Sequence, residues 1–251
     1  MPSKRERKRH VQLDLLKKPR KRTKGVRLGR PPNGRRSGSP HTKRPTLNGR
    51  FPVHVVLRVE TEVGNLRKRD CYRALRWATL TAARREDFRI VHLSIQRTHV
   101  HMLVEAHDKR ALSRGMQGFQ ISAAKLLNRA VSVAWETRRR GQVFTDRYHA
   151  QIITTRRQAR HALAYVLNNW RKHREDREAF ARGWKVDPYS TGALFAGWKE
   201  RGGDPLLWKL PETYEPMFVW FPKTWLLDEG WRRYGLIGMH EVPSVPARAR
   251  G

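Results

Sequence analysis

The sequence predicts an α+β fold: one antiparallel sheet with helices on one face. Two observations predict it. Short β-branched runs alternate with longer stretches whose apolar residues recur at helical spacing. A link of only three residues, Gln96–Thr98, joins two of the runs as a hairpin. The predicted order is strand, helix, strand, strand, helix, strand, helix.

Each element has its own signal. PVHVVLRV (Pro52–Val59) is short and β-branched, which reads as a strand. Asn65 to Glu86 lacks Pro and Gly and repeats apolar residues at Leu66, Tyr72, Leu75 and Leu80, which reads as a helix. FRIVHLSI (Phe88–Ile95) and HVHMLVEA (His99–Ala106) are the hairpin strands. Asp108 is placed to cap a long helix reaching about Arg138, with Gly115 and Gly118 weakening its first turns. YHAQIITT (from Tyr148 to Thr154 or Thr155) is a fourth strand, and Thr155 or Thr154 caps a last helix from Arg156 to about His173. The first six elements have the split β-α-β, or ferredoxin-like, order. That order puts the first and third strands at the sheet centre, with the second face open.

Charge points to a polyanionic partner. The 251 residues carry a formal net charge of +32, which repels itself unless phosphates compensate it. Residues 1–50 hold 18 Lys+Arg against Glu6 and Asp14, half of the net charge on a fifth of the chain. This stretch, with Lys4, Arg5, Lys17, Lys18, Arg20, Lys21 and Arg22, reads as a disordered nucleic-acid-binding tail. No apolar run nears the roughly 18 residues of a membrane span, and no secretory core follows the basic start; a cytoplasmic, nucleoid-associated protein is expected. Cys71 is the single cysteine, so multi-cysteine zinc sites and internal disulfides are excluded.

The candidate chemistry starts with two histidines. His99 and His101 are two apart on a strand and so share a face, opposite Val100, Met102 and Val104. Paired imidazoles facing away from the helices suit a divalent cation. With 11 histidines in the chain, about 0.5 such triplets are expected by composition alone, so a second feature must give the pair meaning. That feature is Tyr165, which lies on the polar stripe of the last helix with Asn169 one turn on. His54 falls opposite in phase to Val53, Val55 and Leu57 and reads as a DNA contact on the same sheet face.

THVHMLVEA (Thr98–Ala106), GQVFTDRYHAQIITT (Gly141–Thr155) and HALAYVLNNWRKH (His161–His173) together resemble the single-tyrosine HUH transposases, the insertion-sequence-200-like kind and their REP-associated relatives. The likeness covers about Phe51 to Glu175. It implies that His99, His101 and Asn169 are ligands of Mg²⁺ or Mn²⁺ and that Tyr165 is the nucleophile. Trp170 stands where REP-associated members usually place proline, so the helix is expected to run on to Lys172 or beyond. The implied enzyme is a metal-dependent strand transferase that cleaves and rejoins single-stranded DNA, with hairpin-forming element ends as its partner. Tyr165 would form a 5′-phosphotyrosine and free a 3′-OH, and the covalent bond conserves the phosphodiester energy for rejoining. No base for the phenolic proton is assigned; His149 and His161 are candidates. Monomer and homodimer both stay open.

Three regions follow: a basic tail (1–50), the transposase domain (51–175) and a Trp-rich extension (176–251). Six of nine tryptophans fall after residue 183. They read as cover over apolar surface of the sheet domain, with platforms for unstacked bases as the other reading. The rival function is a non-catalytic single-stranded nucleic-acid-binding protein on the same fold, and a plain nuclease using activated water is a third reading. Base-stacking modules on this fold carry aromatic rings on their central strands; here those strands carry His54, His99 and His101.

Overall fold

The structure is a computed structural model that describes residues 45–201 and 210–242. The tail residues Lys4, Arg5, Lys17, Lys18, Arg20, Lys21 and Arg22, together with Trp208 and the last nine residues, lie outside the described residues. β1 (Val53–Arg58) is followed by α1 (Arg69–Ala83), β2 (Phe88–Ile95), β3 (His99–Ala106), α2 (Lys109–Ala134), β4 (His149–Ile152) and α3 (Arg156–Leu167). The sheet order is β2-β3-β1-β4, all neighbours antiparallel. β1 and β3 are therefore central, as the split β-α-β order predicts.

Alternation sorts each strand between two cores. Val53, Val55 and Leu57 of β1 and Val100, Met102 and Val104 of β3 join one core with α1 and α2. β2 reads apolar at Ile90, Val91 and Leu93, which breaks strict alternation. A bulge between Ile90 and His92 absorbs the extra residue. Ile90, Leu93 and Ile95 then all reach the first core, while Val91 faces the second. Asp108 caps α2 by accepting from the Ala111 amide at 2.7 Å.

Gly115 in α2 is explained by contact rather than by backbone conformation. A Cβ there would lie 2.1 Å from Cγ of Phe88, whose side chain is fully buried. Gly115→Ala should therefore lower stability by about 1–2 kcal/mol, because overpacking outweighs the gain of up to about 1 kcal/mol in helix propensity. Urea unfolding measures this; a stabilised variant would contradict the close packing.

The second sheet face is not left open. Leu103 and Val91 meet Ala159, Leu163 and Val166 of α3, and this second core continues into Trp198, Leu227, Trp231, Ile237 and Met239. Trp198 and Trp231 are thus cover, whereas Trp220 and Trp225 are about half exposed. The C-terminal segment also shields the free edge of β2: Ile95 donates to the Tyr189 carbonyl and the Trp220 amide donates to Ile90, each at 2.9 Å. Part of this face is therefore packed, and the imidazoles sit beside the packed part.

The last helix differs from the continuous one that the sequence suggests. Thr155 and Gln158 form a capping box at its start. It then stops at Leu167, Asn168 leaves helical geometry (φ −105°, ψ 14°), and a single turn, α4 (Asn169–Lys172), follows. The reason is tertiary. Asn168 Nδ2 donates to the carbonyls of Gly238 (3.0 Å) and Glu241 (2.8 Å), which pins the junction to the far end of the chain.

Candidate functional site

β1 and β3 run antiparallel with His54 opposite Leu103, so His54 and His101 are diagonal neighbours on one face. Their rings stack with centroids 5.3 Å apart, and His54 Nε2 lies 3.1 Å from His101 Nδ1. His99 meets His101 edge-on at 4.8 Å, and its Nδ1 lies 3.3 Å from the Thr98 hydroxyl. α3 then delivers Tyr165 against this row, its ring 5.3 Å from that of His101 and 5.8 Å from that of His54. His54, His99, His101 and Tyr165 thus converge, although they come from three elements and span more than a hundred residues.

Asn169 is buried on the turn between Tyr165 and His173, both of which touch the imidazole row, but its amide makes no hydrogen bond. Of the proposed proton acceptors, His149 stands exposed on the edge strand β4, opposite Val56 and on the face that carries His54 and His101, whereas His161 is exposed on α3. Two further residues join the cluster. The His173 ring lies 5.1 Å from that of His99. Lys172 Nζ is 3.4 Å from the Tyr165 hydroxyl and 4.6 Å from the ring centroid. The signal for His173 was present in the sequence: Tyr165, Asn169 and His173 recur every four residues, a single helical stripe.

The electrostatics keep the imidazoles neutral. Burial, then the His149 charge, lowers His54 to about 4. Burial, then His173, Arg58 and Lys172, lowers His99 to about 4. Burial, then His54 and His99, lowers His101 to about 2. Neutral rings keep a nitrogen lone pair available at physiological pH.

A divalent metal fits these residues. His101 Nε2 and both amide atoms of Asn169 are buried without a hydrogen-bond partner, a condition that costs roughly 1–3 kcal/mol per group. An ion binding imidazole nitrogen and amide oxygen would relieve it. Among the described residues no three His, Cys, Asp or Glu side chains gather as a metal site; the Asn169 amide oxygen would add a donor to the two imidazoles. The His54–His101 contact would hold His101 with Nε2 presented to the ion, the usual arrangement behind a ligating histidine.

A strongly basic chain with a split β-α-β sheet, an imidazole row and a tyrosine laid against it defines a nucleic-acid-processing class of protein. Residues 49–169 match the family model described as transposase IS200 like. These residues therefore form an IS200-like transposase domain, of a family whose members act in DNA transposition by cleaving DNA. Among solved structures, the chain is similar to a REP-associated tyrosine transposase bound to a REP hairpin. The identity is 18% and the TM-score 0.43, over 61% of this chain and 82% of that one. No curated protein matches the chain. Among the described residues no helix is long and apolar enough to cross a membrane.

Proposed function

We propose that the protein cleaves and rejoins single-stranded DNA, at hairpin-forming ends, through a covalent bond to Tyr165. The observation that carries this reading is the Tyr165 ring seated 5.3 Å from that of His101, beside the orphaned His101 and Asn169 atoms. His99, His101 and Asn169 would hold a Mg²⁺ or Mn²⁺ ion. Such an ion, when bound, draws charge from a phosphate oxygen and fixes the backbone for in-line attack.

The chain's own residues supply the rest. Tyr165 Oη attacks phosphorus, the P–O3′ bond breaks, and the 3′ oxygen departs with a proton while the phenolic proton goes to solvent. The product is a 5′-phosphotyrosine and a free 3′-OH. Rejoining reverses this: the 3′-OH attacks and the phenol oxygen leaves. Lys172, 3.4 Å from that oxygen, places a cation where negative charge develops in both directions. The packed part of the sheet face holds α3 rigid behind the tyrosine.

The test is incubation with a labelled single-stranded hairpin and Mn²⁺. Wild type should give an adduct that survives denaturation, and Tyr165→Phe should give none above background. Adduct formation by the Phe variant removes Tyr165 from this role. Strand cleavage without any protein–DNA bond would instead favour a nuclease acting through water.

A further inference from the structure

We infer that a second DNA subsite, for a single unpaired nucleotide, lies in the C-terminal extension on the far side of the turn that carries Asn169. α4 holds Asn169 and Arg171 two residues apart, so they leave the helix in nearly opposite directions. Arg171 enters a cavity of about 450 Å³, lined also by Asp176, Arg177, Arg182, Trp184, Lys185 and His240. All of these residues, Arg171 included, lie beyond the stretch that matches the family model.

The charges of this cavity do not balance. Asp176, its one acid, is bound to Arg171 at 3.1 Å. Arg171 spends its other donors on the carbonyls of Met239 (2.8 Å) and Lys185 (3.1 Å), and so forms a fixed floor. Arg177, Arg182 and Lys185 are exposed around it, and none has an ion pair or a side-chain hydrogen bond among the described residues. Three cations converge on a concave surface whose acid among the described residues is already paired with Arg171; they lack a counter-anion, and a phosphate supplies one.

The cavity is also aromatic. Trp184 is half-buried in its wall, and Phe180, 66% exposed, meets it edge-on at 5.5 Å. Cations beside an available ring are what single-stranded nucleic acid needs: charge for the backbone and a π-face for an unpaired base. A phosphodiester flanking an unstacked base fits this pairing. The assignment rests on the reading of the protein as acting on single-stranded DNA. It adds a contact beside the tyrosine turn, where a strand would be held on both sides of α4.

The experiment measures binding of a fluorescent single-stranded oligonucleotide by anisotropy across salt concentrations, in the Tyr165→Phe background. The comparison is with Arg177→Gln, Arg182→Gln and Lys185→Gln combined. Losing contacts to the two phosphates that flank one nucleotide should make the slope of log affinity against log salt shallower by about 1.4, so a fourfold rise in salt shrinks the advantage of the parent about sevenfold. An unchanged slope overturns the proposal, whatever the affinity. Trp184→Leu should weaken an oligonucleotide with bases more than an abasic one of equal length; equal losses overturn the stacking role. Since the Phe background makes no covalent bond, these results do not depend on strand transfer. A wild type that forms no adduct would sink the transferase reading and leave this slope as it is.

Discussion

A loss of about 3–5 kcal/mol in unfolding free energy is expected when Arg67 is replaced by methionine. Arg67 has 7% of its side chain exposed, Glu175 7% and Asp187 none. The guanidinium binds Asp187 through two parallel bonds of 3.0 and 2.9 Å, pairs with Glu175 through Nε, and donates to the Ile95 carbonyl at 3.0 Å. It also lies 4.3 Å over the Tyr189 ring. Methionine keeps much of the volume but leaves two buried carboxylates without their cation. Burial already pushes Glu175 upward, against the pull of Arg67, so removal of the guanidinium would favour its protonation. Arg67→Lys should recover only part of the loss, since an ammonium cannot make the paired contact. Urea unfolding of both variants checks this; a loss below 1 kcal/mol for methionine would show that the cluster is not what fastens residues 175–189 to the sheet.

Asn169→Leu should act with opposite signs on two quantities. The amide is 1% exposed and neither of its polar atoms is bonded. Leucine of similar shape removes that desolvation cost, so the metal-free protein should gain about 1–3 kcal/mol. At the same time the variant should lose the stabilisation that a bound Mn²⁺ would give wild type, about 2.7 kcal/mol at a concentration one hundred times Kd. Thermal unfolding with and without Mn²⁺ reads both effects. A merely structural amide would give the reverse: a destabilised variant with its metal response intact. A residue whose removal strengthens the fold while weakening the site is the pattern expected where function is held against stability.

The sheet and the row of imidazoles were legible because both depend on local period. Strand alternation alone put His54, His99 and His101 on the face opposite Val55 and Met102, and helical spacing alone put Tyr165 and Asn169 on one stripe. What escaped depends on residues far away in sequence. The helix break at Asn168 is set by carbonyls some seventy positions later. The packing over the second face needs Trp198, Trp231 and Ile237, in a segment with little regular structure. The β2 bulge was visible only as a slip in alternation between Ile90 and Leu93. Lys172, by contrast, was legible: it stands seven residues after Tyr165, on the same helical stripe.

The two cores close at different moments of synthesis. The first is built almost entirely from residues 47–148, with Met217 its sole later member among the buried residues, while the second draws on Leu227, Trp231, Ile237 and Met239. A ribosome releasing the chain from its N-terminus can therefore let the helices behind the sheet settle early. The hook that fixes the tyrosine end must wait for Gly238 and Glu241. A polypeptide cut short by a stop codon or a protease would hold every member of the imidazole row and the tyrosine, yet would lack the latch that sets them in place.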